Sequence, residues 1–331
     1  MDVASLTYYS ISPRMMGLLA SIHHRLGEVH ARHLHSPPSG TEQAYHVSVV
    51  QSTLAIEGGG LEALPVAELV RRPAAAMEGP EALEVVNTHR VHTLLSGFDP
   101  FAEQDLRQAH AVLMHGLALD AGHYRTGPMD VLYGEPQPLR TSSAHDLPIH
   151  VQELLRHVEE DDFPVLLSSC VLHFGLVYLR PFTAGNGRLA RLWQKRMLQH
   201  HWPVFGHLPV EAFIHRAQPA YYAALEYADR RGDCGEFISY LLERIDEALA
   251  ELLDAPDRAR NSKERVELFL SKGPLRGSVD RTFRRKDYLN YYPALSTATA
   301  SRDLMDALDR RMVQRQGTRR TATYRIVATN Q

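Results

Sequence analysis

The chain has 331 residues, a length that predicts two domains at about 150 residues each. Hydrophobic residues make up 44% of it, which supports large apolar cores, and the formal net charge is only −3. No apolar run is long enough to span a bilayer, and the N-terminus lacks the basic-then-apolar shape of a secretory signal. The two cysteines, Cys170 and Cys234, argue against a disulfide scaffold or a Cys-based zinc site. We therefore expect a cytoplasmic protein without a membrane partner.

Histidines are concentrated near the N-terminus, where His30, His33 and, less closely, His23 fit one helix face. A metal site is conceivable there, but no acid or cysteine at matching spacing supports it. We therefore expect a solvated helix face. The whole cluster comprises His23, His24, His30, His33 and His35.

The segment 51–58 is predicted to end a helix. Thr53 and Glu57 are four residues apart, so they share one helix face. Gly58 begins a run of three glycines, which is typical of a helix C-terminus. Further along, a β-like run at 129–133 and a Gly/Pro-rich stretch to about residue 138 predict a short surface hairpin.

Residues 161–179 are apolar nearly all round, which is typical of a buried central helix. Such a helix gives the loop that follows a rigid support, which suits a binding site. His173 lies within this helix, and we expect it to be a hydrogen-bonded core histidine rather than a catalytic one.

The loop at 180–191 reads Arg-Pro-Phe-Thr-Ala-Gly-Asn-Gly-Arg-Leu-Ala-Arg. Gly185 and Gly187 flank Asn186 and allow a phosphate to approach the main chain closely. Arg188 and Arg191 share one face near the N-terminus of the next predicted helix. Gly-Asn-Gly alone would indicate an ordinary turn, but together with the arginine pair it predicts a polyphosphate site.

This loop resembles the signature of the Fic (filamentation induced by cAMP) family, His-Pro-Phe-x-Asp/Glu-Gly-Asn-Gly-Arg-x-x-Arg. Arg180 stands where the family carries its catalytic His, and Ala184 where it carries the acid that holds a metal ion. The resemblance covers roughly residues 41–250 and implies a mainly α fold, a Fic-fold helical core with a short β-hairpin flap at 129–138. The seven retained positions are Pro181, Phe182, Gly185, Asn186, Gly187, Arg188 and Arg191.

The two changed positions bear on activity. Fic enzymes typically transfer AMP from ATP to a hydroxyl of a target protein; the motif His takes the proton, and the acid positions Mg²⁺. Arginine cannot act as a general base near neutral pH, and losing a general base costs roughly 10²–10⁴-fold in rate. We therefore expect nucleotide binding, ATP first, with AMP transfer impaired and Mg²⁺ binding weak or absent. Arg180, natural or engineered, could instead supply positive charge to the phosphates.

The resemblance gives Thr53, Glu57 and Gly58 a second interpretation, as the family's inhibitory motif Ser/Thr-x-x-x-Glu-Gly/Asn. In autoinhibited relatives this Glu pairs with the second motif arginine, here Arg191, and displaces the ATP γ-phosphate. The hairpin at 129–138 would then be the flap that docks an extended segment of a target protein by strand pairing. Dimers are common in the family, so a homodimer is also possible.

The C-terminal part differs in charge. Residues 261–331 contain 15 Lys and Arg against 7 Asp and Glu, which indicates an anionic partner. Predicted helices at 264–271, at 285–291 and from Ser296, followed by a basic hairpin, resemble a small α+β winged helix-turn-helix domain. The expected organisation is a Fic domain at 1–253, with an N-terminal inhibitory helix region and a core at about 100–230, a linker at 254–260, and the winged helix at 261–331.

In such a domain the third helix enters the major groove of DNA and the hairpin contacts phosphates or the minor groove. A winged helix used only for packing or dimerisation is the alternative. The candidate DNA-binding residues are Thr297, Thr299, Ser301 and Arg302 on the helix and Arg319 and Arg320 on the hairpin.

Three functions remain open from the sequence. The first is a regulatory protein whose altered core binds a nucleotide and whose C-terminal module binds DNA. The second is a working enzyme, either an AMP transferase of low activity or one with altered nucleotidyl-transfer or removal chemistry. The third is an interaction module in which the core is only a scaffold.

Overall fold

The computed structural model describes residues 3, 7–32, 34, 42–59, 62–71, 79–128, 143–160, 162–254, 262–272, 282–292, 295–317 and 322–326. The chain divides into two compact units, Met1–Ala250 and Glu251–Gln331. The flap predicted at 129–138 and most of the predicted linker lie outside the described residues, as do His33, His35, Arg319 and Arg320.

All the regular secondary structure among the described residues of the first unit is helical. Short 3₁₀ turns lie at Leu95–Gly97, Ala144–Asp146 and Pro203–Gly206. Its α-helices are α1 (Pro13–Ala31), α2 (Glu42–Ile56), α3 (Ala63–Arg71), α4 (Pro80–Leu94), α5 (Glu103–Leu113), α6 (Leu147–Glu160), α7 (Val165–Leu179), α8 (Asn186–His201), α9 (Val210–Arg216), α10 (Gln218–Arg231) and α11 (Gly235–Asp254).

Helix α7 is the central helix of this unit, and nearly all its side chains are buried, as its apolar sequence predicts. It packs along α8, which is buried from Arg188 to Leu198. Helix α7 begins at Val165, later than the predicted start at residue 161. Pro164 explains the difference, because a proline disfavours helical backbone at the residue before it.

The histidine predictions can be compared with this packing. His173 is fully buried in α7 and bonded through Nδ1 to Gln194 Oε1 at 2.7 Å and through Nε2 to the Tyr221 hydroxyl at 3.0 Å. This confirms a core role. His23, His24 and His30 are exposed on α1, as expected for a solvated face.

The second unit combines helices with a small sheet. Both strand pairs are antiparallel, in the order β1-β3-β2. Its core contains Phe269, Phe283, Tyr288, Leu304 and Tyr324, and burial of these side chains against one another stabilises the unit. Its elements are α12 (Ser262–Lys272), β1 (Thr282–Arg284), α13 (Arg285–Tyr291), α14 (Thr297–Asp309), β2 (Val313–Gln316) and β3 (Thr323–Ile326).

The mainly α fold with a small α+β C-terminal region is therefore confirmed. In the part of the chain that the structure describes, none of the helices combines the length and apolar character needed to cross a membrane.

Candidate functional site

The loop between α7 and α8 uses left-handed backbone at both of its ends. Arg180 ends α7 with φ 43° and ψ 63°, and its N–H donates to the Leu176 carbonyl at 3.2 Å. Gly185 precedes α8 with φ 74°, and a Cβ at this position would lie only 2.6 Å from Met114 Sδ. The left-handed conformation therefore favours glycine at position 185, and a Cβ there would also require the Met114 side chain to shift.

Asn186 closes the loop. Its Oδ1 accepts a hydrogen bond from Phe182 N at 3.0 Å, and its Nδ2 donates to the Phe182 carbonyl at 2.8 Å. The side chain predicted to bind a nucleotide is thus engaged within the loop. The main-chain N–H of Asn186 lies at the N-terminus of α8, the kind of position at which proteins bind anions.

His110 of α5 holds the loop through its ring and both ring nitrogens. Its ring stacks on Phe182 with centroids 3.7 Å apart, Nδ1 lies 2.9 Å from Gly122 N, and Nε2 lies 2.9 Å from the Ala184 carbonyl. Because Gly122 N–H is a donor, Nδ1 must accept, and Nε2 carries the proton that it donates to Ala184. Burial lowers the pKa of His110 to about 4, so this neutral tautomer is the stable form.

Arg125 holds the other end of the loop. Its Nε donates to the Arg180 carbonyl at 2.8 Å, and its main-chain N donates to the Pro181 carbonyl at 3.0 Å. Burial lowers the pKa of Arg125, and the positive charge of Arg180 lowers it further. Two guanidinium groups therefore influence each other where the family carries its histidine.

Arg191 is buried and fully directed toward the end of α2. Nε donates to Thr53 Oγ1 at 2.9 Å, and Nη2 donates to the Thr53 carbonyl at 2.9 Å and to Glu57 Oε1 at 2.8 Å. Burial opposes the charge of Arg191, but the Glu57 carboxylate together with Tyr221 and Tyr222 outweighs it, so the pKa of the guanidinium is raised. This is the Glu57–Arg191 contact that the family resemblance implies.

Arg188 lies against two carboxylates. Nε is 3.3 Å from Glu57 Oε2, and Nη1 is 3.2 Å from Glu84 Oε1 on α4. Its Nη2 donates to Met114 Sδ at 3.5 Å. Glu57 thus bridges the two motif arginines, while Glu84 contacts only the first of them.

The end of α2 is built to present Glu57. The helix ends at Ile56, and Glu57 lies in the turn that follows, where Gly58 has φ 75° and its N–H donates to the Ala55 carbonyl at 3.1 Å. Gln218 Nε2 and the Tyr222 hydroxyl both donate to the Ile56 carbonyl at 2.6 Å. The Glu57 carboxylate lies directly against Gly187, where any side chain would displace it.

The loop at 180–191 contains no carboxylate side chain that could hold the Mg²⁺ implied by the family resemblance. Ala184 offers no carboxylate at the family's metal position, and its carbonyl is taken by His110. The neighbouring carboxylate, Asp120, accepts a hydrogen bond from the Thr183 hydroxyl at 2.8 Å. Magnesium is usually held by one or two carboxylates together with phosphates, so the loss at position 184 removes a principal ligand.

Four residues at the loop escaped the sequence analysis: Glu84, His110, Met114 and Arg125. His110 carried a partial signal, because it lies on the apolar face of α5 with Leu106, Ala109 and Leu113, which predicts burial but no partner. The other three lie far from the motif in sequence, and no spacing rule connects them to it.

In the second unit, Thr297 and Arg302 are exposed at the start of α14, whereas Thr299 and Ser301 are half-buried. The Ser296 hydroxyl accepts from Thr299 N at 3.1 Å and caps the helix. The Ser301 hydroxyl donates to the Thr297 carbonyl at 2.8 Å and accepts from Arg285 Nη1 at 2.9 Å. Two of the four helix candidates are therefore engaged in local hydrogen bonds.

Comparison with known proteins finds a match to a protein family. The Fic/DOC family model matches residues 100–198, which include α5, α7 and the whole loop. The protein named Protein adenylyltransferase Fic from Nematostella vectensis is 32% identical over 203 residues, 59% of this chain. The match spans only 44% of that relative's length.

Solved structures share the fold. A Fic family protein from Desulfovibrio desulfuricans G20 is 26% identical, with 98% of both chains covered and a TM-score of 0.69. Fic-1 from C. elegans is 20% identical, with a TM-score of 0.56. The match covers 73% of this chain and 72% of the Fic-1 chain. The second likeness concerns the fold alone.

Proposed function

We propose, on the premise that this chain belongs to the Fic/DOC family, that its loop at 180–191 binds a nucleotide, with ATP as the expected ligand, and that AMP transfer to protein hydroxyls is impaired. One observation carries the proposal. The buried guanidinium groups of Arg188 and Arg191 converge on the carboxylate of Glu57 beside Gly187, at the N-terminus of α8. Carboxylate and phosphate oxygens are alternative partners for the same guanidinium geometry.

The occupied arginines also support regulation. A nucleotide phosphate that reached Arg191 would have to displace Glu57, because the carboxylate already accepts a hydrogen bond at 2.8 Å. We therefore propose that Thr53, Glu57 and Gly58 form an inhibitory motif, in which Thr53 anchors Arg191 and Gly58 ends the helix.

Impaired transfer is supported by the chemistry available around the loop. Arg180 cannot take a proton near neutral pH. His110 has both ring nitrogens engaged, and His173 is fully buried with both of its nitrogens bonded. Neither histidine is placed to replace the missing base.

Calorimetric titration with ATP tests the nucleotide site. Glu57→Gly should bind ATP about tenfold or more tightly than the unaltered protein, since it removes the competing carboxylate that contacts both arginines. The double variant with Arg191→Ala should lose this binding, whereas Glu57→Gly with Arg90→Ala, an exposed arginine on α4, should retain it. Failure of every form to bind would favour the scaffold interpretation.

An active adenylyltransferase is the second candidate, and the name of the Nematostella vectensis relative favours it. Labelled AMP transfer from ATP by Glu57→Gly distinguishes the two. We expect little or no transfer, and only partial recovery in Glu57→Gly with Arg180→His, because Ala184 remains. Strong transfer without the Arg180→His change, lost on Arg188→Ala, would contradict the proposal.

We further propose that the second unit is a winged helix that binds DNA. Its exposed cationic side chains include Arg284, Arg285, Lys286, Arg302 and Arg315, and phosphate contacts depend on such charges. Arg319→Glu with Arg320→Glu should weaken DNA binding at low salt. Arg71→Glu with Arg90→Glu makes the same charge change on exposed positions of the first unit and should not. Equal affinities of the two forms would sink this part of the proposal.

A further inference from the structure

The first motif arginine has a carboxylate partner that the inhibitory motif does not contain. Glu84, from α4, places Oε1 3.2 Å from Arg188 Nη1, and Oε2 lies toward Gly59 at the end of α2. Helices α2 and α4 pack together through Val50, Leu54 and Val85. Glu57 and Glu84 therefore reach the arginines from two helices of one packed cluster.

The two arginines differ in how well they are satisfied. Arg191 directs three hydrogen bonds to Thr53 and Glu57. The side chain of Arg188 is only 7% exposed, yet its Nε and Nη1 have no hydrogen-bond acceptor, although carboxylate oxygens lie near both. The carboxylates compensate the charge of Arg188 without satisfying its N–H groups, which is unfavourable in a buried position.

Resting on the nucleotide site proposed above, we propose that Glu84 is a second inhibitory carboxylate, which holds Arg188 while Glu57 holds Arg191. Phosphate oxygens that replaced Glu84 would accept from the unsatisfied N–H at Nη1, and once Glu57 is also gone they would accept from the one at Nε, so a ligand gains more at Arg188 than the carboxylates give up. The Glu84 side chain is 27% exposed and lies at the protein surface, where its charge can be solvated after displacement.

The proposed inhibition has two parts, because two carboxylates contact the two guanidinium groups. Removal of Glu57 frees Arg191 but leaves Arg188 beside the negative charge of Glu84. Full affinity for a polyphosphate therefore requires both carboxylates to leave, and a ligand without phosphate gains nothing from either departure.

ATP titration in the Glu57→Gly background tests this assignment. Adding Glu84→Gln should tighten ATP binding roughly tenfold and leave the affinity for adenosine unchanged. Adding Glu81→Gln instead makes the same charge change at an exposed position one turn earlier on α4, and should change ATP affinity by less than about twofold. Glu84→Ala is a second test, in case the Gln variant does not fold, and should act in the same direction.

The outcomes separate the two proposals. If Glu57→Gly binds ATP but Glu84→Gln and Glu84→Ala add no more affinity than Glu81→Gln, Glu84 is not inhibitory and the nucleotide site stands. Weaker ATP binding in the Glu84 variants would overturn the inference as well, because Glu84 would then position Arg188 for the ligand. If no folded form binds ATP, even with both carboxylates removed, the nucleotide site itself is wrong and the inference falls with it.

Discussion

The two halves of the loop at 180–191 are held in different ways. Residues 180–184 are fixed through their main chain, since Arg125 binds the Arg180 carbonyl, Asn186 binds both main-chain groups of Phe182, and His110 binds the Ala184 carbonyl. The half at 185–191 instead commits side chains, because Arg188 and Arg191 turn inward toward carboxylates.

The difference explains how the loop keeps its shape although Arg and Ala stand at positions 180 and 184. Contacts to main-chain atoms do not depend on which side chains stand at positions 180 and 184, so Arg and Ala are accommodated there. The half at 185–191 has no such freedom, because the guanidinium groups of Arg188 and Arg191 supply both its charge and its contacts to the carboxylates.

The largest expected effect comes from removing a buried side chain from the half of the loop at 185–191. Arg191→Ala should lower the free energy of unfolding by about 3 kcal/mol, because it leaves Glu57 and Thr53 without their buried partner. Urea denaturation measures this change. Arg90→Ala, at an exposed position on α4, should stay within about 0.5 kcal/mol of the unaltered protein, and a similar loss in both would contradict the assigned contacts.

Acid should weaken the contacts that hold residues 180–184, because one of them is made by His110. His110 has a folded pKa of about 4, below the ordinary value of 6.5, so between these values the unfolded chain binds a proton that the folded chain does not. Stability is therefore complete above about pH 6.5 and falls toward pH 4, by up to about 3 kcal/mol from this group. Denaturation at a series of pH values measures the slope, which should be shallower in a His110→Phe variant.

The His110→Phe variant also tests the hydrogen bonds of His110 at constant pH. Phenylalanine can keep the stack on Phe182 but leaves Gly122 N–H and the Ala184 carbonyl without partners, at a cost of about 2 kcal/mol. His123→Phe, on an exposed neighbour, is the control and should be close to neutral. If the two variants unfolded at the same urea concentration, the hydrogen bonds of His110 would not be supporting the loop.

The smallest effect concerns the junction of the two halves. Gly185→Ala should cost about 1 kcal/mol, since the strain of a φ of 74° is joined by a contact of the new Cβ with Met114, a flexible side chain. Gly232→Ala has a similar φ of 66° but nothing within 4 Å of the added Cβ, so it isolates the strain alone. Thermal unfolding should rank the two, and an equal loss would mean that Met114 moves aside freely.

The sequence predicted the fold well where patterns are local. The apolar run of α7, the helix at 285–291 and the antiparallel strands at 313–326 were each predicted from a short stretch of sequence, and the misplaced start of α7 traces to a single proline. At the site, the sequence predicted only the residues that belong to its motifs. Glu84 and Arg125 act through tertiary proximity alone, and the pattern of α5 marks His110 as buried without naming what it binds.

The central claim is that the loop binds a polyphosphate without the metal position and base that ordinary transfer requires. Calorimetric titration of Glu57→Gly with ATP, once in Mg²⁺ and once in EDTA, tests it most directly. The account predicts saturable binding with nearly the same dissociation constant in both buffers, because Arg188 and Arg191 supply the charge and Ala184 holds no metal. Binding that requires Mg²⁺, or no binding in either buffer, would contradict it.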